Sequence, residues 1–367
     1  MVHSQAQAQS TFASEASAGV SARAAIAQAP RQRELQREHT TPPQRSKGPA
    51  MKVKFWGVRG SLPSPFTSAD LEDRLAEVLR RAEGERFDGD AEACRFVQAL
   101  PAPLRTTAGG NTPCVEVRTA AGDLIILDAG SGIRALGSHL MREGFAEGKG
   151  QAWLLFSHTH WDHIHGFPFF APAYVKGNAL RLGGCHDGLE SRLRDQHDPR
   201  FFPVPFDALS AAITFKQMGG TNWLCNRRVK VSTVKLSHPG DSYAYRLEAE
   251  GATIVYATDG EYKRLDAACM AKYVEFFRGA DLLIFDAMFT VMESIEKADW
   301  GHSSAVVGVE LATAANVGTL VLFHHDPESS DSKVAELVRR AREYQNIIPA
   351  QHRSEVVVAR EGLEIEL

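Results

Sequence analysis

The chain has 367 residues, of which 44% are hydrophobic and 23% are charged, the proportions of an ordinary globular protein. No apolar run reaches the length of about 18 residues that marks a transmembrane helix, so the sequence excludes a membrane span. The net charge is −4, and residues 51–367 carry 35 basic and 42 acidic side chains, which disfavours general binding to nucleic acid. The five cysteines lack C-x-x-C spacing, which argues against a disulfide framework and a cysteine zinc site.

Residues 1–50 are rich in Ala, Gln, Ser and Arg and hold almost no large apolar side chains. Such a segment buries too little surface to offset the entropy of ordering, so we predict a disordered tail. A misassigned start is the alternative, because Met51 opens the first clear strand. The tail lacks the apolar run of a secretory signal, and we expect a cytoplasmic protein.

Strand-like and helix-like runs alternate over residues 51–367. Strands are predicted at 53–56, 114–118, 124–127, 153–156, 229–235, 243–247, 253–256, 282–285, 319–323 and 355–359. Helices are predicted at 69–82, 132–142, 265–277, 303–316 and 331–344, and residues 66–105 have the pattern of a helical insertion. The mixture indicates one α/β (α+β) domain, consistent with two sheets packed face to face and covered by helices.

Four potential metal ligands lie within six residues of the segment FSHTHWDH, residues 156–163. His158 and His160 follow an apolar strand on a loop and can point into one site. Asp162 and His163 diverge and can serve a neighbouring metal, and Asp162 is expected near a helix N-terminus, where a carboxylate is favoured. Imidazole and carboxylate ligands suit zinc, iron or manganese.

The H-x-H-x-D-H pattern of residues 158–163 resembles the signature of the metallo-β-lactamase superfamily, and the resemblance extends over about residues 51–330. Further candidate ligands follow apolar runs in the family's order. His238 lies in LSHPG, Asp259 lies in YATDG, and His324 lies in LFHHD. The resemblance implies a four-layer αββα sandwich with two mixed sheets packed face to face.

The family pattern also implies two divalent metal ions, with zinc favoured and manganese or iron as alternatives. One ion would be held by three histidines and a shared carboxylate, namely His158, His160, His238 and Asp259. The second would be held by Asp162, His163, Asp259 and His324. Two metal ions about 3.5–4 Å apart can activate a bridging hydroxide, which Asp162 could orient.

Finer features resemble the branch of RNase Z and the class II cyclic-nucleotide phosphodiesterases. The sequence GHSS at 301–304, followed by a helix, a strand and His324, is similar to the end of RNase Z. In that branch a carboxylate on the preceding strand pairs with the extra histidine, which here implies Asp286 and His302. Such a histidine can donate a proton to a leaving alkoxide. A helix N-cap or a core histidine is the alternative for His302.

The sequence also departs from that branch. Its members usually carry Leu or Gly where Trp161 stands, RNase Z has Thr where Gly260 stands, and the long basic arm of RNase Z is not recognisable here. We therefore predict a phosphodiesterase for a cyclic nucleotide or another small phosphodiester, with large nucleic acid disfavoured and a homodimer as one open oligomeric state. The alternatives are a tRNA 3′-end endonuclease, a lactone, thioester or β-lactam hydrolase of the same fold, and a metal-dependent sensor or scaffold.

Two further residues have open interpretations. Arg59, in GVRGS after the first strand, is either a phosphate contact or an ordinary surface arginine. Asp128, in LDAGSG, is similar to the family's D-x-G turn and fixes either a turn or a ligand histidine.

Overall fold

The computed structural model describes residues 51–264, 266–349 and 351–367. The predicted tail, residues 1–50, lies outside the described residues, as does Leu265, the first residue of a predicted helix. Among the described residues, no helix is both long enough and apolar enough to cross a bilayer.

Seven strands form the first mixed sheet: β1 (Lys52–Gly57), β2 (Cys114–Arg118), β3 (Leu124–Leu127), β4 (Gln151–Phe156), β5 (Ala179–Gly184), β6 (Ala212–Gln217) and β14 (Glu364–Glu366). Their order is β14-β1-β2-β3-β4-β5-β6. The pairs from β14 to β3 are antiparallel, and those from β3 to β6 are parallel.

Seven more strands form the second mixed sheet: β7 (Thr221–Leu224), β8 (Val229–Leu236), β9 (Ser242–Ala249), β10 (Ala252–Ala257), β11 (Leu282–Asp286), β12 (Thr319–Phe323) and β13 (Glu355–Val358). They follow one another in space as they do in the chain. The pairs from β7 to β10 are antiparallel, and those from β10 to β13 are parallel.

The described residues also form ten α-helices: α1 (Ser68–Arg81), α2 (Asp90–Ala99), α3 (Ala102–Arg105), α4 (Gly132–Leu140), α5 (Trp161–Ile164), α6 (Leu189–Asp195), α7 (Ala267–Phe277), α8 (Val291–Glu296), α9 (Ala305–Ala314) and α10 (Asp331–Ile347). Helices α1, α2 and α3 occupy the stretch predicted as a helical insertion. The first of them starts after a capping box in which Thr67 and Asp70 satisfy each other's backbone N–H groups.

Apolar side chains from the two sheets meet in one buried core, which includes Phe55, Ile125, Tyr245, Ile284 and Phe323. Strand β1 shows how the sequence directs this packing, since its buried and less buried residues alternate along the strand. Separate apolar clusters join α4 to the outer face of the first sheet, and α7, α9 and α10 to the outer face of the second. The predicted αββα sandwich is therefore confirmed.

The carboxyl ends of several strands lie at one edge of this sandwich. In the second sheet, β8 and β10 each pair antiparallel with β9, and β10, β11 and β12 are parallel, so these four strands run in one direction. The end of β4 joins them from the first sheet, because Tyr245 Oη donates to the carbonyl of Phe156 at 2.7 Å. Loops after such strand ends are where α/β scaffolds place functional side chains.

Candidate metal centre

The H-x-H-x-D-H segment leaves β4 at Phe156 and enters the single-turn helix α5 at Trp161. His158 and Asp162 are buried, whereas His160 is exposed. The backbone N–H of Ser61, in the loop after β1, donates to Asp162 Oδ2 at 2.8 Å. The first loop of the domain therefore holds this carboxylate in place.

The seven predicted ligands meet in two adjacent groups. In the first, the ligand atoms of His158, His160 and His238 all lie within 4.8 Å of one another. His238 Nε2 and His160 Nδ1 are 3.0 Å apart. The second group holds Asp162, His163, Asp259 and His324, again within 4.8 Å.

The Asp259 carboxylate lies between the two groups. Its Oδ1 is 3.8 Å from both His158 Nε2 and His238 Nε2, while its Oδ2 is 3.2 Å from His163 Nε2 and 3.3 Å from His324 Nε2. One oxygen thus faces each group, as a shared ligand requires. Asp259 and His324 both have positive φ, an uncommon conformation that points to local constraint at a functional site.

Three histidines direct their outer ring nitrogens to protein acceptors. His163 Nδ1 donates to Asp128 Oδ2 at 2.8 Å, and His238 Nδ1 donates to the carbonyl of Gly301 at 2.9 Å. His158 Nδ1 donates to Ser157 Oγ at 3.1 Å. These bonds orient the rings so that each Nε2 faces the cluster, the usual arrangement for a metal-binding histidine.

Asp128 supports both groups through one carboxylate. Besides His163, it accepts hydrogen bonds from the Ser157 backbone N–H at 2.7 Å, from Ser157 Oγ at 2.7 Å and from Tyr256 Oη at 2.8 Å. Ser157 in turn holds His158. Both interpretations of Asp128 are correct, since it adopts a positive φ of 60° in its turn and orients a candidate ligand.

His302 and Asp286 form the predicted pair outside the seven ligands. His302 Nδ1 donates to Asp286 Oδ2 at 2.8 Å, and the two side chains are 10% and 0% exposed. The His302 ring stacks on His324, with centroids 5.1 Å apart. The helix N-cap interpretation is wrong, because Ser304 caps α9. Burial opposes charge on His302, but Asp286 outweighs it and raises the pKa of His302 to about 9.

The three histidines of the first group have charge states that suit cation binding. Burial lowers the pKa of His158 well below its ordinary value, and neighbouring imidazoles add to the effect. Burial also lowers the pKa values of His160 and His238. Burial opposes charge on Asp259, yet His324 and other imidazoles hold the pKa of that carboxyl well below its usual range. Burial therefore favours the neutral form of the three histidines of the first group. In the second group burial opposes charge on His163, but Asp162, Asp259 and Asp128 outweigh it and raise the pKa of that imidazole.

The Arg59 side chain holds neighbouring loops together through their backbone carbonyls. Its side chain is buried, Nε donates to the carbonyl of Gly109 at 2.8 Å, and Nη1 donates to the carbonyls of Asp326 and Ser329 at 3.0 and 2.8 Å. The surface interpretation is wrong, because these buried donors connect the loop after β1 to two other loops.

The residues of the cluster fit divalent metal ions. In the second group, His163 Nε2, His324 Nε2 and Asp162 Oδ2 lie 3.2 to 3.3 Å from one another. Ligands about 2.0 Å from a tetrahedral ion would be separated by about 3.3 Å. Moreover, His158 Nε2 is buried and has no hydrogen-bond partner among the described residues, a cost that a cation would remove.

A family model described as a β-lactamase superfamily domain matches residues 124–325, which is more than half of the chain. The protein belongs to the metallo-β-lactamase superfamily. The matched range contains all seven candidate ligands as well as Asp286 and His302. The family and its fold support a metal-dependent hydrolase and imply divalent metal ions, and the predicted membership is confirmed.

Curated relatives of this superfamily member include several proteins named ribonuclease Z. The protein from Oceanobacillus iheyensis is 22% identical over 239 residues, which covers 52% of this chain and 76% of that protein. The matches to two Synechococcus ribonucleases Z span only 30% and 32% of those proteins. These similarities confirm the expected resemblance to ribonuclease Z.

Solved structures share the metallo-β-lactamase fold at low sequence identity. The metallo-β-lactamase fold protein YhfI from Bacillus subtilis has a TM-score of 0.57 and 18% identity, with 87% of this chain and 100% of that chain covered. A diphosphatase from the PhnP family has a TM-score of 0.52 and 18% identity, with 86% and 98% covered. At such identities the likeness concerns the fold.

Proposed function

We propose that the protein is a metal-dependent phosphodiesterase that hydrolyses a small phosphodiester, such as a cyclic nucleotide. The observation that carries the proposal is the 2.8 Å hydrogen bond between His302 and Asp286 beside the seven-residue cluster. A protonated imidazole held by a buried carboxylate can donate its proton to a leaving alkoxide. An ester oxygen becomes such an alkoxide when its bond to phosphorus breaks.

Two divalent ions, with zinc preferred to manganese or iron, are proposed for the two ligand groups. His158, His160 and His238 would hold one, Asp162, His163 and His324 would hold the other, and Asp259 would be shared. When bound, these ions would supply an activated water and neutralise charge on the phosphoryl oxygens. Zinc is preferred because imidazole nitrogens and carboxylate oxygens are its usual non-cysteine ligands.

The chain's own residues would orient the reactants and move the proton. Asp162, fixed by the backbone N–H of Ser61, would orient the attacking water. That water would lose one proton to solvent, and its oxygen would form the new bond to phosphorus while the bond to the leaving oxygen breaks. His302 then gives its Nε2 proton to the leaving oxygen, and Asp286 keeps the ring in position through Nδ1.

A tRNA 3′-end endonuclease is the second candidate, and the ribonuclease Z relatives favour it. It predicts cleavage of precursor tRNA and an affinity that falls steeply with salt. The excess of acidic over basic side chains in residues 51–367, 42 against 35, favours the small substrate instead.

A substrate panel tests the proposal. Bis(p-nitrophenyl) phosphate, cyclic nucleotides, precursor tRNA, a lactone and nitrocefin would each be assayed with zinc and with manganese. We expect turnover of bis(p-nitrophenyl) phosphate and the cyclic nucleotides. His160→Ala should lose this turnover. His139→Ala should keep wild-type rates, because His139 lies on α4 beside Glu143. Lactone or nitrocefin turnover without phosphodiester turnover would contradict the proposal.

A further inference from the structure

The candidate metal centre is open on one side. Asp162, His163, Asp259 and His324 are buried, whereas His160 is exposed. The His238 side chain is only 3% exposed, and the rest of that residue is partly exposed. A substrate must reach the cluster from solvent, so its entrance lies beside His160 and His238.

Two exposed tryptophans adjoin these two histidines along the backbone. Trp161 directly follows His160 in the chain and is 64% exposed. Trp300 is 62% exposed and directly precedes Gly301, whose carbonyl accepts the hydrogen bond from His238 Nδ1. His238 Nε2 and His160 Nδ1 are 3.0 Å apart. The backbone segments that carry the two tryptophans therefore adjoin the same pair of histidines.

The Lys297 ammonium group lies beside Trp300 and also pairs with Asp326, whose Oδ2 is 3.5 Å from Lys297 Nζ. Lys297 Nζ is 5.5 Å from the centre of the Trp300 ring and 4.5 Å from that of Phe289. The Phe289 ring in turn meets His302 edge to face at 5.7 Å. An indole and an ammonium group side by side suit an anionic ester that carries an aromatic ring.

Single exposed apolar residues are ordinary on protein surfaces, but this arrangement is local. Met292 and Ile295 of α8 are also exposed, in the same segment that connects Asp286 to His302. Exposed apolar side chains in the segments that flank a polar site suit a surface that binds an organic ligand.

We propose that Trp161 and Trp300 are specificity-determining residues that stack on an aromatic ring of the substrate, such as a nucleobase, while the phosphodiester lies at the cluster. This inference rests on the proposed function and names the substrate class of the same site. Stacking on aromatic side chains strengthens binding by roughly tenfold or more per ring.

The experiment compares two esters that differ only in the ring. They are adenosine 3′,5′-cyclic phosphate and methyl ribofuranoside 3,5-cyclic phosphate, in which a methoxy group replaces adenine. W161L/W300L should lower kcat/KM for the nucleotide at least about tenfold more than for the ring-free ester. W161F/W300F keeps two aromatic faces and should keep the preference.

Trp223→Leu is the matched control. Trp223 is 44% exposed on β7 and pairs with Lys230, near the start of β8 and away from the end that leads to His238. This variant should behave as wild type. Equal losses for the two esters in W161L/W300L, or no loss, would overturn the inference.

Binding of adenosine 5′-monophosphate to the full chain separates the two proposals. This binding is measured as quenching of tryptophan fluorescence. If wild type hydrolyses neither ester, the proposed function fails, and binding alone decides the inference. Saturable quenching in wild type and W223L that disappears in W161L/W300L supports the aromatic contact. Quenching that is absent from wild type, or that persists in W161L/W300L, overturns it.

Discussion

At the scale of single residues, the two ligand groups share one supporting carboxylate. Asp128 accepts four hydrogen bonds, three of them on Oδ2, from Ser157, His163 and Tyr256. Through His163 it reaches the second group, and through Ser157 and His158 it reaches the first. Changes at Asp128 should therefore affect both metal sites together.

Asp128→Asn tests this coupling. An amide places an N–H₂ group among four donors, so at least one buried hydrogen bond is lost, at a cost of about 1–3 kcal/mol in unfolding free energy. We expect metal affinity to fall about 10–100-fold at both sites, measured by chelator competition. Asp123→Asn, at the other end of β3 and paired with Arg228, is the control. A loss at one site alone would contradict the shared support.

His302→Gln tests the proton donor. We expect kcat to fall about 10²–10⁴-fold for a cyclic nucleotide, whose leaving group is an alkoxide that needs a proton. The loss should be much smaller for bis(p-nitrophenyl) phosphate, because p-nitrophenolate is a weak base and leaves unaided. Asp286→Asn should show the same selectivity. Equal losses for the two substrates would indicate a role in positioning and not in proton transfer.

At the scale of elements, the segment between β11 and α9 links the proton donor to the first ligand group. Its residue Gly301 has a φ of +84°, and a Cβ atom there would lie 2.2 Å from His238 Nδ1. Only glycine lets this backbone approach the ring closely enough for its carbonyl to accept the 2.9 Å hydrogen bond.

Gly301→Ala should therefore displace His238. We expect weaker metal binding at the first group together with a loss of about 1–2 kcal/mol from the backbone conformation. Gly279→Ala is the matched control, since Gly279 also has a positive φ, of +61°, but has open space around its Cβ direction. Comparable metal affinity in the two variants, measured by equilibrium dialysis, would show that the contact with His238 is unimportant.

At the scale of the whole molecule, the sequence predicts the strands whose own pattern is strong. Strand β3 and the first four residues of β11 are examples, because burial on both faces leaves an apolar run. By contrast, β14 has the sequence Glu-Ile-Glu and becomes a strand only through its pairing with β1. The sequence does not predict β5, β6 or β7 either. Strand β6 lies at the sheet edge, and none of its residues is fully buried.

The residues of the candidate site also divide into those that a sequence pattern predicts and those that only the packing of the sheets brings into place. The ligands could be predicted because the H-x-H-x-D-H segment resembles the family signature. The remaining ligands lie just past apolar runs in the family's order, and strand ends gather at one edge. Tyr256 could not, since it lies within the apolar run of β10 and reaches Asp128 only because the two sheets pack face to face. The carbonyl of Gly301 carries no sequence signal at all, since every residue has one.

The metal content of the purified full-length protein tests the central claim most directly. Elemental analysis should find two divalent ions per chain, and their removal by a chelator should abolish phosphodiester hydrolysis until zinc is restored. Chelated protein that keeps its full turnover, or active protein that contains no divalent metal, would contradict the account.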